Sequence, residues 1–394
     1  MKKIAKKILI VLTIVALQAP NIIYADNKNI DKYSKGSILI DQETSRILYE
    51  KNPDSKLPLA SLSKMMTFLL AIEAIENKEV KKTDIITVDA SIAKVRGSSY
   101  HLKVGEKIPF YELMKGLMIV SGNDAAVAIS KHIAKDEKTF VERMNKKAKE
   151  IGMINTHFVN CNGLPIYDLS NPSMPPKENL STARDIAKLG KYMFDNYEEE
   201  VLKITDMMVY SYPERNFEKY NTNKLLQMIP DVDGIKTGYT GNAGYCLAFS
   251  MHVDKSGQNE KERRLIGVTL GANHKEKRIN ASISMLNYGK DNFNTKKVIE
   301  KDQLVGKKYI KGIEDLEVIL KTQDELYTIV GKDEHLHCQA TFKEINYPIK
   351  KGDVLGVIKY YTNDGEILGS INIVSDNDVN HASLKNQIKM IFSD

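Results

Sequence analysis

From Met65 to Ile75 apolar residues occupy nearly every helical azimuth. A helix that is apolar all round belongs inside a core, so this stretch is predicted to be a buried central helix opened by Leu59-Ala60-Ser61-Leu62-Ser63-Lys64. Ahead of it, residues 36–41 and 46–50 flank the turn-prone Gln42-Glu43-Thr44-Ser45 and predict a β-hairpin. Residues 84–88 follow as a short strand. Residues 110–120 have helical spacing and stop at Ser121-Gly122-Asn123-Asp124, where a second apolar helix begins at Ala125. Asn123 or Asp124 is a natural cap for that helix, and a tight turn between two buried helices also aims its polar side chains into a cleft. Residues 231–241, 244–251 and 264–270 predict consecutive antiparallel strands.

Near Asn292-Phe293-Asn294-Thr295 the pattern changes. Helical runs give way to alternating segments at 316–320, 327–330 and 354–360, punctuated by Lys350-Lys351-Gly352-Asp353 and Asn363-Asp364-Gly365-Glu366. That alternation predicts a small β-sandwich with no reactive constellation. The fold class is α+β, with the chain dividing into 1–25, 26–294, 295–382 and a tail at 383–394. In the tail, Leu384, Ile388, Ile391 and Phe392 share one helical face. Peripheral membrane contact and packing against the β-rich part are both open for it.

The start of the chain changes how the charge is read. Met1-Lys2-Lys3-Ile4-Ala5-Lys6-Lys7 leads into an apolar run from Ile8 to Ala16, and Ala25 offers a small residue for cleavage. This pattern predicts a secretory signal peptide and an extracytoplasmic protein, with an uncleaved N-terminal anchor as the alternative. Removing Lys2, Lys3, Lys6 and Lys7 takes the formal charge of the 394-residue chain from +6 to +2. No nucleic-acid partner is implied. Cys161, Cys246 and Cys338 are too few and scattered for a disulfide framework, and at least one free buried thiol is expected. His335 and His337 alternate onto one side of a strand, without further ligands clustered nearby.

Ser61 and Lys64, three apart, share one face of the helix start. A serine hydroxyl is a poor nucleophile until a base takes its proton, and a lysine becomes that base only once it has lost its own. Bringing a lysine from about 10.4 to near neutrality takes roughly 4 to 5 kcal/mol, within reach of burial aided by the positive end of a helix dipole. The competing reading is a serine cap with a snorkelling lysine. Further on, Lys236-Thr237-Gly238 lies on a strand edge facing the cleft, where an extended peptide can add as one more strand. Lys236 and Thr237 would meet a carboxylate, Gly238 leaves room for close approach, and the N–H of Tyr239 with that of Ser61 could form an oxyanion hole.

The ordered set Ser61-x-x-Lys64, Ser121-x-Asn123, Lys236-Thr237-Gly238 resembles the penicillin-recognising serine enzymes. The blocks His157-Phe158-Val159-Asn160 with Gly163-Leu164, Ser181-Thr182-Ala183-Arg184-Asp185 and Ala243-Gly244-Tyr245 narrow the resemblance to low-molecular-mass penicillin-binding proteins that act as D-alanyl-D-alanine carboxypeptidases. The resemblance spans roughly residues 30 to 295, and a β-rich remainder is usual in that group. Three decoys lack its context: Ser91-Ile92-Ala93-Lys94 leads into polar residues, Lys255-Ser256-Gly257 falls in a charged turn, and Ser375-Asp376-Asn377 comes out of order.

The resemblance implies a β-lactamase/transpeptidase-like catalytic domain, an antiparallel sheet with helices around a buried central helix. It also implies roles. Ser61 attacks the carbonyl between two D-alanines of a peptidoglycan stem peptide, Lys64 takes its proton, and Ser121 relays a proton to the leaving D-alanine. Asn123 holds the substrate amide while Lys236 and Thr237 anchor the terminal carboxylate. β-Lactam antibiotics would be covalent inhibitors, and no cofactor or metal is required. Tyr239 departs from the histidine common in the family. A β-lactamase needs an additional base for deacylation, for which Glu178 is the candidate, against its reading as a solvated loop charge. A catalytically idle wall-binding protein is the remaining alternative.

Overall fold

The structure, a computed structural model, describes residues 30–379 apart from 256, 310–316 and 344–347. The basic and apolar start at 1–25 and the tail at 383–394 lie outside the described residues. The expected hairpin is present as β1 (Gly36–Asp41) and β2 (Ile47–Lys51). The three later strands are β3 (Val232–Thr240), β4 (Gly244–Val253) and β5 (Arg263–Ala272). Together they form one antiparallel sheet in the order β2-β1-β5-β4-β3, which leaves β3 at an edge.

Both faces of this sheet are covered, which is why its inner strands read as apolar runs instead of alternating. Ile38, Ile40, Ile266, Val268 and Leu270 pack into a large helical layer, whereas Leu39, Leu247, Phe249 and Leu265 belong to a second core on the opposite face. The large layer contains α1 (Lys64–Glu76), α2 (Phe110–Met118), α3 (Asn123–Ala134), α4 (Glu137–Glu150) and α5 (Ala183–Thr205). The opposite face is covered by α6 (Lys275–Asn292). Every residue of α1 from Lys64 to Ile72 is buried, as its all-round apolarity demands.

The start of this helix departs from expectation in one useful respect. Residues Ala60–Ser63 form a 3-10 turn, and α-geometry begins only at Lys64. Ala60 takes a left-handed φ of 48°, and Gly163, itself at φ 87°, presses so close that a β-carbon on it would overlap Ala60 O. A 3-10 turn has three residues per turn, so side chains three apart eclipse. Ser61 therefore stands over Lys64, and it is not a helix cap.

Beyond α6 the chain runs directly into the strand Phe293–Ile299, which pairs with Leu326–Gly331. A five-stranded sheet follows, ordered Leu304–Tyr309, Glu317–Thr322, Ile367–Ser375, Val354–Tyr361, His337–Phe342. Its core is built from Val318, Leu320, Leu355, Ile358 and Ile373. Cys161 and Cys246 are free and buried, and Cys338 is free and exposed. His337 bonds Asn363 Oδ1 at 2.6 Å.

Candidate active site

Three walls meet at Ser61. The floor is the 3-10 turn and the first turn of α1, which carry Ser61, partly exposed, and Lys64, fully buried. The second wall is the turn between α2 and α3. Ser121 sits there at φ 64°, a left-handed conformation that costs a non-glycine residue of the order of 1 kcal/mol and recurs at functional sites. The third wall is β3 with Lys236, Thr237 and Gly238 buried and Tyr239 56% exposed.

The hydrogen bonds of Lys64 Nζ decide what this amine can do. It donates to Asn123 Oδ1 at 2.6 Å and to the carbonyl of Asn162 at 2.7 Å, and it lies 2.8 Å from Ser61 Oγ. A neutral amine has two N–H groups and one lone pair. Both N–H groups are taken by carbonyl oxygens, so the lone pair is left for the proton of Ser61. Burial holds Lys64 down at about 7, with Cys161 and Asp124 opposing that shift. The decoy makes the contrast: Ser91 and Lys94 are both exposed.

Asn123 is fixed from its other end, since its Nδ2 donates to Arg96 O at 2.7 Å and its backbone N–H to Ser98 O at 2.8 Å. It is the first residue of α3, whose cap position is Gly122, so the cap expected at Asn123 or Asp124 is not made. The Asp124 carboxylate instead accepts from the N–H groups of Tyr100 at 2.8 Å and Leu102 at 3.1 Å and from Ser99 Oγ at 2.7 Å, pinning the loop that carries Arg96 and Ser98. A loop-shaping set places the Asn162 carbonyl. Asn160 Oδ1 accepts from Gly163 N at 2.6 Å, and Asn179 Oδ1 from Val159 N at 2.6 Å.

The edge strand is fastened to both other walls. A β-carbon on Gly238 would stand 3.0 Å from Leu59 O and 3.1 Å from Ser61 N, so glycine is what permits the strand to lie against the turn that carries Ser61. Thr237 Oγ1 donates to Thr222 Oγ1 at 2.8 Å, and the Thr222 N–H reaches Ile119 O at 3.1 Å, two residues before Ser121. Lys236 Nζ donates to Thr237 O at 2.9 Å. Burial, then the charges of Lys64 and Arg278, push its affinity for a proton well down. A carboxylate entering this desolvated cleft would favour the protonated form of Lys236 and pair with it. The Tyr239 ring packs on Tyr245 with centroids 4.3 Å apart. Glu178 accepts from Asn242 Nδ2 at 3.0 Å, and among the described residues no carboxylate is a hydrogen-bond partner of Lys64 Nζ.

The residues that sequence reasoning missed are Asn162, which acts through its backbone carbonyl, Asp124 as a loop anchor, and Thr222. The asparagine-rich Val159-Asn160-Cys161-Asn162-Gly163 was the available signal for the first.

A serine facing a buried amine beneath a lysine-bearing sheet edge defines a serine hydrolase of the penicillin-recognising class. Residues 24–274 match a family model described as D-alanyl-D-alanine carboxypeptidase, and residues 293–381 match one described as penicillin-binding protein 5, C-terminal domain. The chain is 32% identical over 368 residues to D-alanyl-D-alanine carboxypeptidase DacF of Bacillus subtilis, covering 92% of this chain and 90% of that protein. It is 32% identical over 354 residues to DacC of Escherichia coli, covering 86% and 83%. Penicillin-binding protein 5 from Haemophilus influenzae superposes with a TM-score of 0.71 at 28% identity, over 93% of this chain and 100% of that one. The chain belongs to the D-alanyl-D-alanine carboxypeptidase family and is a low-molecular-mass penicillin-binding protein.

Proposed function

We propose that Ser61 is the acylated nucleophile of a serine-type carboxypeptidase that removes the terminal D-alanine from peptidoglycan stem pentapeptides. The observation that supports this most is the division of partners at Lys64 Nζ, two carbonyls and one hydroxyl. The Ser61 oxygen attacks the carbonyl between the two D-alanines as its proton passes to Lys64. The developing oxyanion lies between the N–H groups of Ser61 and Tyr239. Ser121 relays the proton gained by Lys64 to the leaving nitrogen, free D-alanine departs, and water then hydrolyses the ester, its proton returning to Ser61 as the acyl bond breaks. Lys236 and Thr237 hold the terminal carboxylate, Gly238 admits the close approach, and Asn123 meets the substrate amide while orienting Lys64. Residues 26–294 carry this chemistry and residues 295–382 form the separate β-rich domain.

Penicillin presents the same carboxylate and a strained amide to the same groups. A fluorescent penicillin labels the wild-type chain and leaves Ser61→Ala unlabelled; label retained by Ser61→Ala rejects the assignment. An adduct that persists for minutes and release of D-alanine from a stem-peptide mimic separate this reading from a β-lactamase and from an idle wall-binding protein. The basic and apolar start supports an extracytoplasmic location, at the cell wall or the outer face of the cytoplasmic membrane. Among the described residues no helix is long and apolar enough to cross a membrane. Vesicle co-sedimentation with and without residues 383–394 tests whether the tail makes peripheral membrane contact.

A further inference from the structure

Glu178 takes no part in the steps above, yet it is held beside the cleft. Its carboxylate is bonded to Asn242, in the turn that joins β3 to β4. The backbone next to it is fastened to the floor: Leu59 N donates to Asn179 O at 3.0 Å, and Leu57 and Pro58 pair with Ser181 and Leu180. Leu59 O is in turn the atom against which Gly238 packs. Glu178 thus bridges the floor and the hairpin at the end of the edge strand beyond Tyr239.

The direction of an extended substrate brings its upstream part to that end. The terminal carboxylate lies at Lys236 and Thr237 and the scissile carbonyl beside Tyr239. Residues before the scissile bond therefore run past Thr240 toward Asn242, at about 3.3 Å per residue. Asn242 lies three positions beyond Tyr239, a span of at most roughly 10 Å, which a long side chain with a terminal amine can cover. Tyr239, largely exposed, flanks the path.

We propose that Glu178 recognises a cationic side chain on the substrate residue immediately before the two D-alanines, favouring stem peptides whose diamino acid keeps its free amine. The inference rests on the substrate direction given under the proposed function. A carboxylate that merely latches the loop to the hairpin does not depend on its charge, because a neutral glutamine still offers Asn242 an acceptor oxygen. Recognition of an amine does need it.

The test is the ratio of kcat/KM for Nα-acetyl-L-Lys-D-Ala-D-Ala to that for its Nα,Nε-diacetyl form. In the wild-type chain the ratio exceeds one and falls as salt is raised, because a partly exposed charge pair is screened. Glu178→Gln lowers the ratio about three- to fivefold, the size of one such pair, and Asn242→Ala retains it. A wild-type ratio insensitive to salt, or a ratio unmoved by Glu178→Gln, overturns the proposal. So does an equal fall in Asn242→Ala, the mark of a latch. Failure of the underlying site assignment would appear separately, as penicillin label retained by Ser61→Ala.

Discussion

Lys64 Nζ stands 2.8 Å from Ser61 Oγ with its N–H groups occupied by Asn123 Oδ1 and Asn162 O, and the lysine side chain is wholly buried. The amine is a base only when unprotonated, and burial holds it at about 7. Acylation by benzylpenicillin should therefore rise with pH through a midpoint of about 7 and level off above it. The sign is fixed by the chemistry: activity is lost as pH falls and the amine gains its proton. Lys64→Arg keeps its charge at any working pH and should lose at least about a hundredfold in acylation rate. Stopped-flow acylation across pH 5 to 10, read as roughly a one-proton curve, checks both.

Asn123 makes a second use of the same geometry. Its Oδ1 is 2.6 Å from Lys64 Nζ, so Asn123→Asp places a carboxylate against the amine without a change in size. An opposite charge at that distance favours the protonated amine and should move the acylation midpoint up by one or more pH units, by roughly 1.4 kcal/mol or more. The loss of the Asn123 Nδ2 bond to Arg96 O accompanies it. Acylation of the variant at pH 7 should be depressed at least about fivefold and recover in part by pH 9. A uniform loss across pH would instead mean that only the loop contact mattered.

Gly238 sets the width of the cleft. A methyl there meets Leu59 O at 3.0 Å and the backbone nitrogens of Ser61 and Leu62 at 3.1 and 3.2 Å, all main-chain atoms that cannot swing aside. Gly238→Ala should push the strand off the turn that carries Ser61 and part the N–H groups of Ser61 and Tyr239 proposed to hold the oxyanion. Acylation is expected to fall about ten- to a hundredfold, less than complete loss of one donor. A melting curve beside the kinetics separates a displaced strand from a chain that no longer folds.

Much of this site was legible because its side chains lie in short local patterns. Ser61 with Lys64, Ser121 with Asn123, and Lys236 with Thr237 and Gly238 each belong to one turn or strand, and the apolar continuity of α1 places the first pair inside a core. The hairpin of β1 and β2 and the edge strand β3 follow from periodicity in the same way. What stayed hidden depends on long-range contact or on the main chain. The Asn162 carbonyl carries no side-chain signature, and its position comes from Asn160 and Asn179 folding a loop around it. The 3-10 start of the central helix depends on Gly163, about a hundred residues away in sequence. Asp124 reads as a cap because acids at helix starts usually are, yet here tertiary donors from Ser99, Tyr100 and Leu102 claim it.

Arg46 ties the catalytic sheet to the β-rich part at the edge away from Ser61. It lies between β1 and β2, whereas the cleft is bordered by β3 across the sheet. Its guanidinium donates to Glu334 at 2.7 and 2.5 Å and to Ile329 O at 2.6 Å, and it lies over the Phe293 ring at 5.6 Å. With side-chain exposures of 9% and 16%, the Arg46–Glu334 pair is shielded enough to count, and a fork of this kind is replaced poorly by other groups. Arg46→Ala leaves Glu334 without its principal counter-charge and should cost about 2 to 3 kcal/mol. Since none of these contacts reaches Ser61, Lys64 or β3, penicillin acylation at low temperature should stay within roughly twofold of wild type. The expected signature is a lowered unfolding midpoint, with faster proteolysis in the strands after α6 and the acylation rate preserved; equal loss of both would place Arg46 in the same cooperative unit as the cleft.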